Sequence, residues 1–258
     1  MLHGMYSQIR ARVAPALWHK KPLATAILLG AGLLIPSAQA DTSANTAQLK
    51  PNNQQACYVD GLSEQMQCGS ISVPENYAKP DGKQLQIHYV VMPAIKPGSK
   101  NQALLAIAGG PGQSAIENAR GFDRMLTKVR QTEDVILIDQ RGTGQSSPLQ
   151  CIGDGFESAL AVNESDFDTR VETQKCLDSL DADVTQYGSL SALKDFEAVR
   201  QHLGYQKLHL YGVSYGTRMA QLYMRHYPTS LATVTLDGVV PMQQSVLAIG
   251  DAIARAFN

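Results

Sequence analysis

Leu208-His209-Leu210-Tyr211-Gly212-Val213-Ser214-Tyr215-Gly216-Thr217 passes from a short apolar run through a Gly-x-Ser-x-Gly turn into helix-compatible sequence. The five-residue pattern alone is weak, arising by chance in roughly one chain in ten of this length and glycine content. Its setting carries the weight. A nucleophile elbow needs a strand, a sharp turn that strains the serine backbone, and a helix whose amino end faces the reacting atoms. A strand over 208–211 and a helix over 215–226 supply that frame. Gly212 and Gly216 remove the Cβ atoms that would clash as helix and strand pack together. Ser214 then stands as the candidate nucleophile, and the Tyr215 N–H points where a tetrahedral oxyanion would form. The competing reading is a helix-capping serine in a tight turn.

The sequence around the elbow repeats its rhythm. Residues 103–108, 135–138, 208–211 and 234–236 are short apolar runs, the signature of strands buried on both faces. Helix candidates lie near 115–130, 190–203 and 215–226. Strand and helix in alternation predict an α/β fold, a mostly parallel sheet with helices on both faces. Upstream, 70–73 and the alternating stretch 84–91 flank the turn signal Asp81-Gly82, and together read as an antiparallel pair at one sheet edge. Between residues 150 and 187 the pattern breaks into acidic, cysteine-containing sequence, taken as an excursion between a strand and the next helix.

Reactive groups in such sheets gather at the carboxyl ends of the strands. After 103–108 comes Gly109-Gly110-Pro111-Gly112, a turn whose bare backbone lets a ligand oxygen approach closely. The functional reading is half of an oxyanion hole, with the Gly110 N–H as donor; a plain tight turn is the alternative. After 135–138 comes Asp139-Gln140-Arg141-Gly142-Thr143-Gly144-Gln145-Ser146. It lacks the third glycine and immediate helix of a phosphate-binding loop. Asp139 and Arg141 are therefore expected to fix this loop through hydrogen bonds rather than take part in chemistry.

Residues 1–40 have the layout of a secretory signal peptide. Arg10, Arg12, Lys20 and Lys21 lead into an apolar run over 23–35, and Ser37-Ala38-Gln39-Ala40 ends in an Ala-x-Ala pair. The run is shorter than the roughly 20 apolar residues a membrane span needs. Cleavage is expected after Ala40, sending the chain to the periplasm or the extracellular space with no membrane association afterwards. Four of the 22 Lys+Arg and none of the 23 Asp+Glu lie in that segment, so the remainder is mildly acidic and gives no support for nucleic-acid binding. The expected organisation is a signal peptide over 1–40, a mobile lead-in over 41–67, a core over 68–241, and the start of a lid or next helix over 242–258. Cys57, Cys68, Cys151 and Cys176 all follow the cleavage point, where an even count at open spacings reads as disulfides. Of the three possible pairings, Cys57 with Cys68 and Cys151 with Cys176 close short local loops without crossing the sheet. No motif supports a metal or an organic cofactor, and none is expected.

The motifs at 109–112, 139–146 and 211–217, in that order, resemble the proline iminopeptidase and tripeptidyl aminopeptidase branch of the α/β-hydrolases. Asp195-Phe196-Glu197-Ala198-Val199-Arg200, the turn Leu203-Gly204-Tyr205 and Leu236-Asp237-Gly238-Val239-Val240-Pro241 add to the likeness, which runs from about Cys68 to Pro241. The resemblance implies an exported exopeptidase acting on a peptide or small acyl substrate through an acyl-enzyme on Ser214, with Gly110 and Tyr215 holding the oxyanion. Ala108 departs from the histidine that many proline iminopeptidases carry before the glycines, which tilts the likeness toward the tripeptidyl type.

A triad of this fold runs in the order Ser, acid, His, with the histidine after the last strand. Beyond residue 40 the histidines are His88 and His209, in expected strands, and His202 and His226, near helix ends. None is expected to be the base. Asp237 could serve as the acid of a relocated triad but reads first as a strand-end turn residue. The sequence is thus expected to hold an α/β-hydrolase fold incomplete at its C-terminus, lacking the lid and last strands. An esterase or amidase of the same fold, or a non-catalytic binding module that kept the elbow, are the alternatives.

Overall fold

In the computed structural model, the described residues are 54–96, 98, 101–151, 168–243, 245 and 255, all within one unit, Leu49–Asn258. The expected signal peptide, the lead-in before residue 54 and most of the segment after residue 243 lie outside them.

Seven strands form one mixed sheet. They are β1 (Gln55–Cys57), β2 (Met66–Pro74), β3 (Gln84–Met92), β4 (Gln102–Ile107), β5 (Asp134–Ile138), β6 (Lys207–Val213) and β7 (Leu231–Asp237), in the order β1-β2-β3-β5-β4-β6-β7. β4, β5, β6 and β7 are parallel, and β3 joins β5 antiparallel. The apolar runs behave as expected of strands covered twice: after its first residue, each of β4 and β5 is buried throughout.

Alternate residues feed two cores. Ile87, Tyr89, Leu105, Ile107, Ile136 and Leu210 face helices α3 (Ser189–Leu203) and α4 (Tyr215–His226), meeting Phe196, Val199, Met219 and Tyr223. Val90, Met92, Leu104, Ala106 and Leu137 face the opposite way, toward Phe122 of α1 (Ala119–Met125). Register then levels the strand ends. Ile107 pairs with Gly212, Ala106 with Leu137, and Val213 with Asp237, so the loops after β4, β5, β6 and β7 emerge along one edge of the sheet.

Four local readings change. The expected lead-in reaches into the sheet, since β1 pairs with β2 and β2 begins at Met66, not residue 70. Three residues, Gln-Ala-Cys, carry no alternation to announce a strand; backbone pairing and a Cys57–Cys68 disulfide hold them. The helix expected over 115–130 shrinks to α1 and a 3-10 turn at Val129–Gln131, because Ser114 and Ile116 are committed to another loop. The segment between residues 150 and 187 contains a helix, α2 (Thr169–Ser179), capped by the Asp168 side chain, which accepts from Arg170 N and Val171 N. β7 starts at Leu231. The second disulfide joins Cys151 to Cys176, so both pairings follow the local-loop reading.

Candidate active site

Ser214 sits between β6 and α4 with φ 53° and ψ −118°, a backbone conformation that side-chain-bearing residues rarely adopt. Three contacts over-determine it. The Ser214 N–H donates to the Asp237 carbonyl at 2.9 Å, and its own carbonyl accepts from Thr217 N at 2.9 Å and Thr217 Oγ1 at 2.6 Å. The flanking glycines are sterically required. A Cβ on Gly216 would lie 2.3 Å from the Ile107 carbonyl oxygen, and one on Gly212 would lie 2.5 Å from the Gly216 carbonyl oxygen. The side chain of Ser214 is left exposed at the strand edge.

The glycine turn lies against it. A Cβ built on Gly109 would stand 3.2 Å from the Ser214 Cβ, so the two loops meet at the expected place. Gly110 and Gly112 both have φ 96°, which keeps this turn to glycine. The Gly109 N–H is committed to Gln113 Oε1 at 3.2 Å. Among the described residues, the Gly110 N–H has no acceptor. Tyr215, as the first residue of a 12-residue helix, has no intrahelical acceptor either. Among the described residues, the amide that follows Gly109 and the amide that follows Ser214 are thus both without an acceptor, the latter at the positive end of α4.

Asp237 has another partner. Its carboxylate accepts the Tyr211 hydroxyl at 2.6 Å, and that bond, with burial, pushes the Tyr211 phenol up to about 12. Asp237 thus supports the elbow through its carbonyl while its side chain is held by the neighbouring strand. The following chain stays on α4: Val240 N donates to Thr217 Oγ1 at 2.9 Å, Gln221 Nε2 to the Val240 carbonyl at 3.1 Å, and an Arg218 nitrogen to the Met242 carbonyl at 3.0 Å. Thr217, buried and bonded on both sides, was missed in the sequence; the only hint was its place just after the elbow glycine.

None of the four described histidines is hydrogen-bonded to Ser214. His209 lies five residues upstream on β6, about 16 Å along the strand, and its ring bonds Thr233 Oγ1 at 2.7 Å and Gln102 Oε1 at 3.0 Å. His202 packs beside the Tyr89 ring at 5.9 Å, His88 lies on β3, and His226 ends α4. Ser214 Oγ has no hydrogen-bond partner among the described residues.

Asp139 and Arg141 act as fixing residues. Both Arg141 Nε and a terminal guanidinium nitrogen donate to Asp195, at 2.7 and 2.6 Å, and Arg141 also reaches the Glu75 carbonyl at 2.6 Å. Tyr77 donates to the same carboxylate at 2.7 Å; burial first, then the Asp195 charge and this bond, push its phenol upward.

This geometry coincides with a family. Residues 102–253 match the family described as alpha/beta hydrolase fold. The chain belongs to the α/β-hydrolases. Serine protease Hip1 of Mycobacterium tuberculosis (strain H37Rv) is 31% identical over 187 residues, covering 67% of this chain and 36% of that protein. A tripeptidyl aminopeptidase of Streptomyces lividans is 28% identical over 201 residues, covering 71% and 37%. Carboxylesterase B of Mycobacterium tuberculosis (strain CDC 1551) is 28% identical over 282 residues, covering 94% and 54%. The chain thus spans about a third to a half of the length of these relatives. Among its described residues no cluster of three or more His, Cys, Asp or Glu could hold a metal ion, and no helix is long and apolar enough to cross a membrane.

Proposed function

We propose that this hydrolase is an exported serine exopeptidase that releases amino-terminal residues or tripeptides from peptides through an acyl-enzyme on Ser214. The observation that carries the reading is the exposed, strained serine with a glycine turn packed against it, Gly109 approaching its Cβ. Ser214 Oγ attacks the carbonyl carbon, its proton passes to a base, and the oxyanion is held by the Gly110 and Tyr215 N–H groups. Collapse expels the amine, which takes a proton, and water then releases the acyl group. The base and its acid partner come from outside the described residues. The peptidase names of two relatives favour a peptide over other acyl substrates, and the two disulfides fit an oxidising compartment reached after cleavage behind Ala40.

The relative named as a carboxylesterase favours a second reading, an esterase of the same fold. The full-length gene product, incubated with tripeptidyl p-nitroanilides bearing free or acetylated amino termini and with p-nitrophenyl esters, separates the two. The exopeptidase reading expects turnover of the free-amine anilide, more than about tenfold slower turnover of its acetylated form, and loss of both in Ser214→Ala. Turnover of esters alone would replace it with the second reading. A folded product that turns over none of them would leave a non-catalytic binding module.

A further inference from the structure

The three motifs around Ser214 are joined by a group that the acyl-transfer reading leaves unused. Asp139 follows β5 and is 1% exposed, yet no cation pairs with it among the described residues; the nearest in sequence, Arg141, is committed to Asp195. Three neutral donors converge on its carboxylate instead. Ser114 Oγ donates to Oδ1 at 2.6 Å, Ile116 N to Oδ1 at 3.1 Å, and Gln145 N to Oδ2 at 3.0 Å. A carboxylate is acceptor-only on both oxygens, whereas an amide in this position would turn an N–H₂ against one of these donors. A buried charge held only by neutral donors is costly, and it is retained where the bonds fix something.

What they fix is the exit of the glycine turn. Ser114 is buried, and its hydroxyl also accepts the Glu117 N–H at 3.0 Å while its carbonyl accepts Asn118 Nδ2 at 2.8 Å. The turn before it folds back on itself, so tightly that a Cβ on Gly110 would lie 2.8 Å from Gly112 N and 2.9 Å from Gln113 N. At its entry Ile107 is paired to Gly212 of β6. The loop is therefore tied to the nucleophile strand at one end and to Asp139 at the other. Behind the carboxylate the second glycine loop wraps closely: a Cβ on Gly144 would lie 2.1 Å from Asp139 Oδ2 and 2.8 Å from Ser114 Oγ, and Ser146 Oγ accepts the His88 N–H of β3 at 2.9 Å.

We infer that Asp139, acting through Ser114, is a positioning residue that holds the Gly110 N–H where the oxyanion develops, and that Gly144 is glycine so that the carboxylate can sit there. The inference rests on Gly110 being an oxyanion donor. Misplacing such a donor by about 1 Å costs on the order of a hundredfold in rate, so a clamp on the loop acts on turnover rather than on ground-state binding.

The test uses Ser114→Ala, a small deletion that leaves two of the three donors on Asp139, with Asp139→Asn as the second variant. Backbone ¹⁵N relaxation of Gly109, Gly110 and Gly112 is compared with that of Leu105 and Val213. The wild-type Gly110 amide is expected near the rigid order parameter of about 0.85 and to fall below about 0.6 in both variants, with the strand amides unchanged. In the full-length gene product kcat is expected to fall about 10- to 100-fold with KM within about twofold. An unchanged Gly110 order parameter in both variants would overturn the clamp, even where Ser214 is acylated by a fluorophosphonate. Loosening of Gly110 in a protein whose Ser214 never acylates would support the clamp and sink the acyl-transfer reading instead.

Discussion

Gly216 has no room for a side chain: the atom a methyl would strike is the carbonyl oxygen of Ile107, a backbone group at the end of β4, paired to β6, that cannot swing aside. Gly216→Ala is expected to destabilise the fold by about 3 kcal/mol, the upper part of the range for overpacking a close-packed site, read as a lowered urea midpoint with little change in slope. A substitution at Gly112, where a Cβ meets nothing within 4 Å, carries only the strain of its positive φ and is expected to cost less. At this scale the motif glycines and Ser214 could be read directly, because turn chemistry and the strand-turn-helix rule act over a few neighbouring residues. Thr217, Ser114 and Gln113 could not. Their roles depend on partners 23, 25 and 4 residues away that only the folded backbone brings within reach, and no spacing rule marks a serine as one that will meet an aspartate.

Among the elements, two buried ionic groups tie the helices to the loops. Arg141 and Asp195 are fully buried and joined at 2.6 Å, linking the loop after β5 to α3. Arg141→Met strands a buried carboxylate and is expected to cost about 3–5 kcal/mol in chemical denaturation, while Arg141→Met with Asp195→Leu recovers most of the loss. On the far side of α3, Glu197 accepts Arg200 at 2.6 Å, Tyr223 of α4 at 2.6 Å and the Ser230 hydroxyl at 3.1 Å. Burial alone would raise this carboxyl, but the bonds from Arg200, Tyr223 and Ser230 outweigh it and hold it below the usual glutamate range. Its folded value being the lower one, the stability it contributes is present above the unfolded value and lost as pH falls through the folded one. Glu197→Gln is expected to cost about 1.5–3 kcal/mol at pH 7, a gap that narrows in denaturant melts below about pH 4. Elements with strong periodicity, such as α4 and β3, appear within a residue of where the sequence placed them. β1 and α2 do not announce themselves: one is three residues long, and the other has no buried stripe, with Val171 and Leu177 both exposed, and stands on its Asp168 cap.

The molecule as a whole is a seven-stranded sheet whose four parallel strands end level, with the nucleophile, the glycine turn and the Asp139 loop gathered at that edge. The layered α/β plan followed from the apolar runs between helical stretches, since doubly covered strands need no alternation. The antiparallel joint between β3 and β5 was not encoded in any local pattern, because strand neighbours are chosen by long-range packing. The candidate site was half readable: Ser214 and the glycine turn that packs against it were in the motifs, whereas the bonds from Ser114 and Gln145 to Asp139 were not. On the proposed function, this edge is built around Ser214 for acyl transfer. That reading is tested most directly by exposing the full-length gene product to a fluorophosphonate and locating the adduct by peptide mass spectrometry. A single adduct on the peptide containing Ser214, absent in Ser214→Ala, is the result expected. A folded protein with no adduct there, or with its adduct on a different serine that persists in Ser214→Ala, would contradict the account.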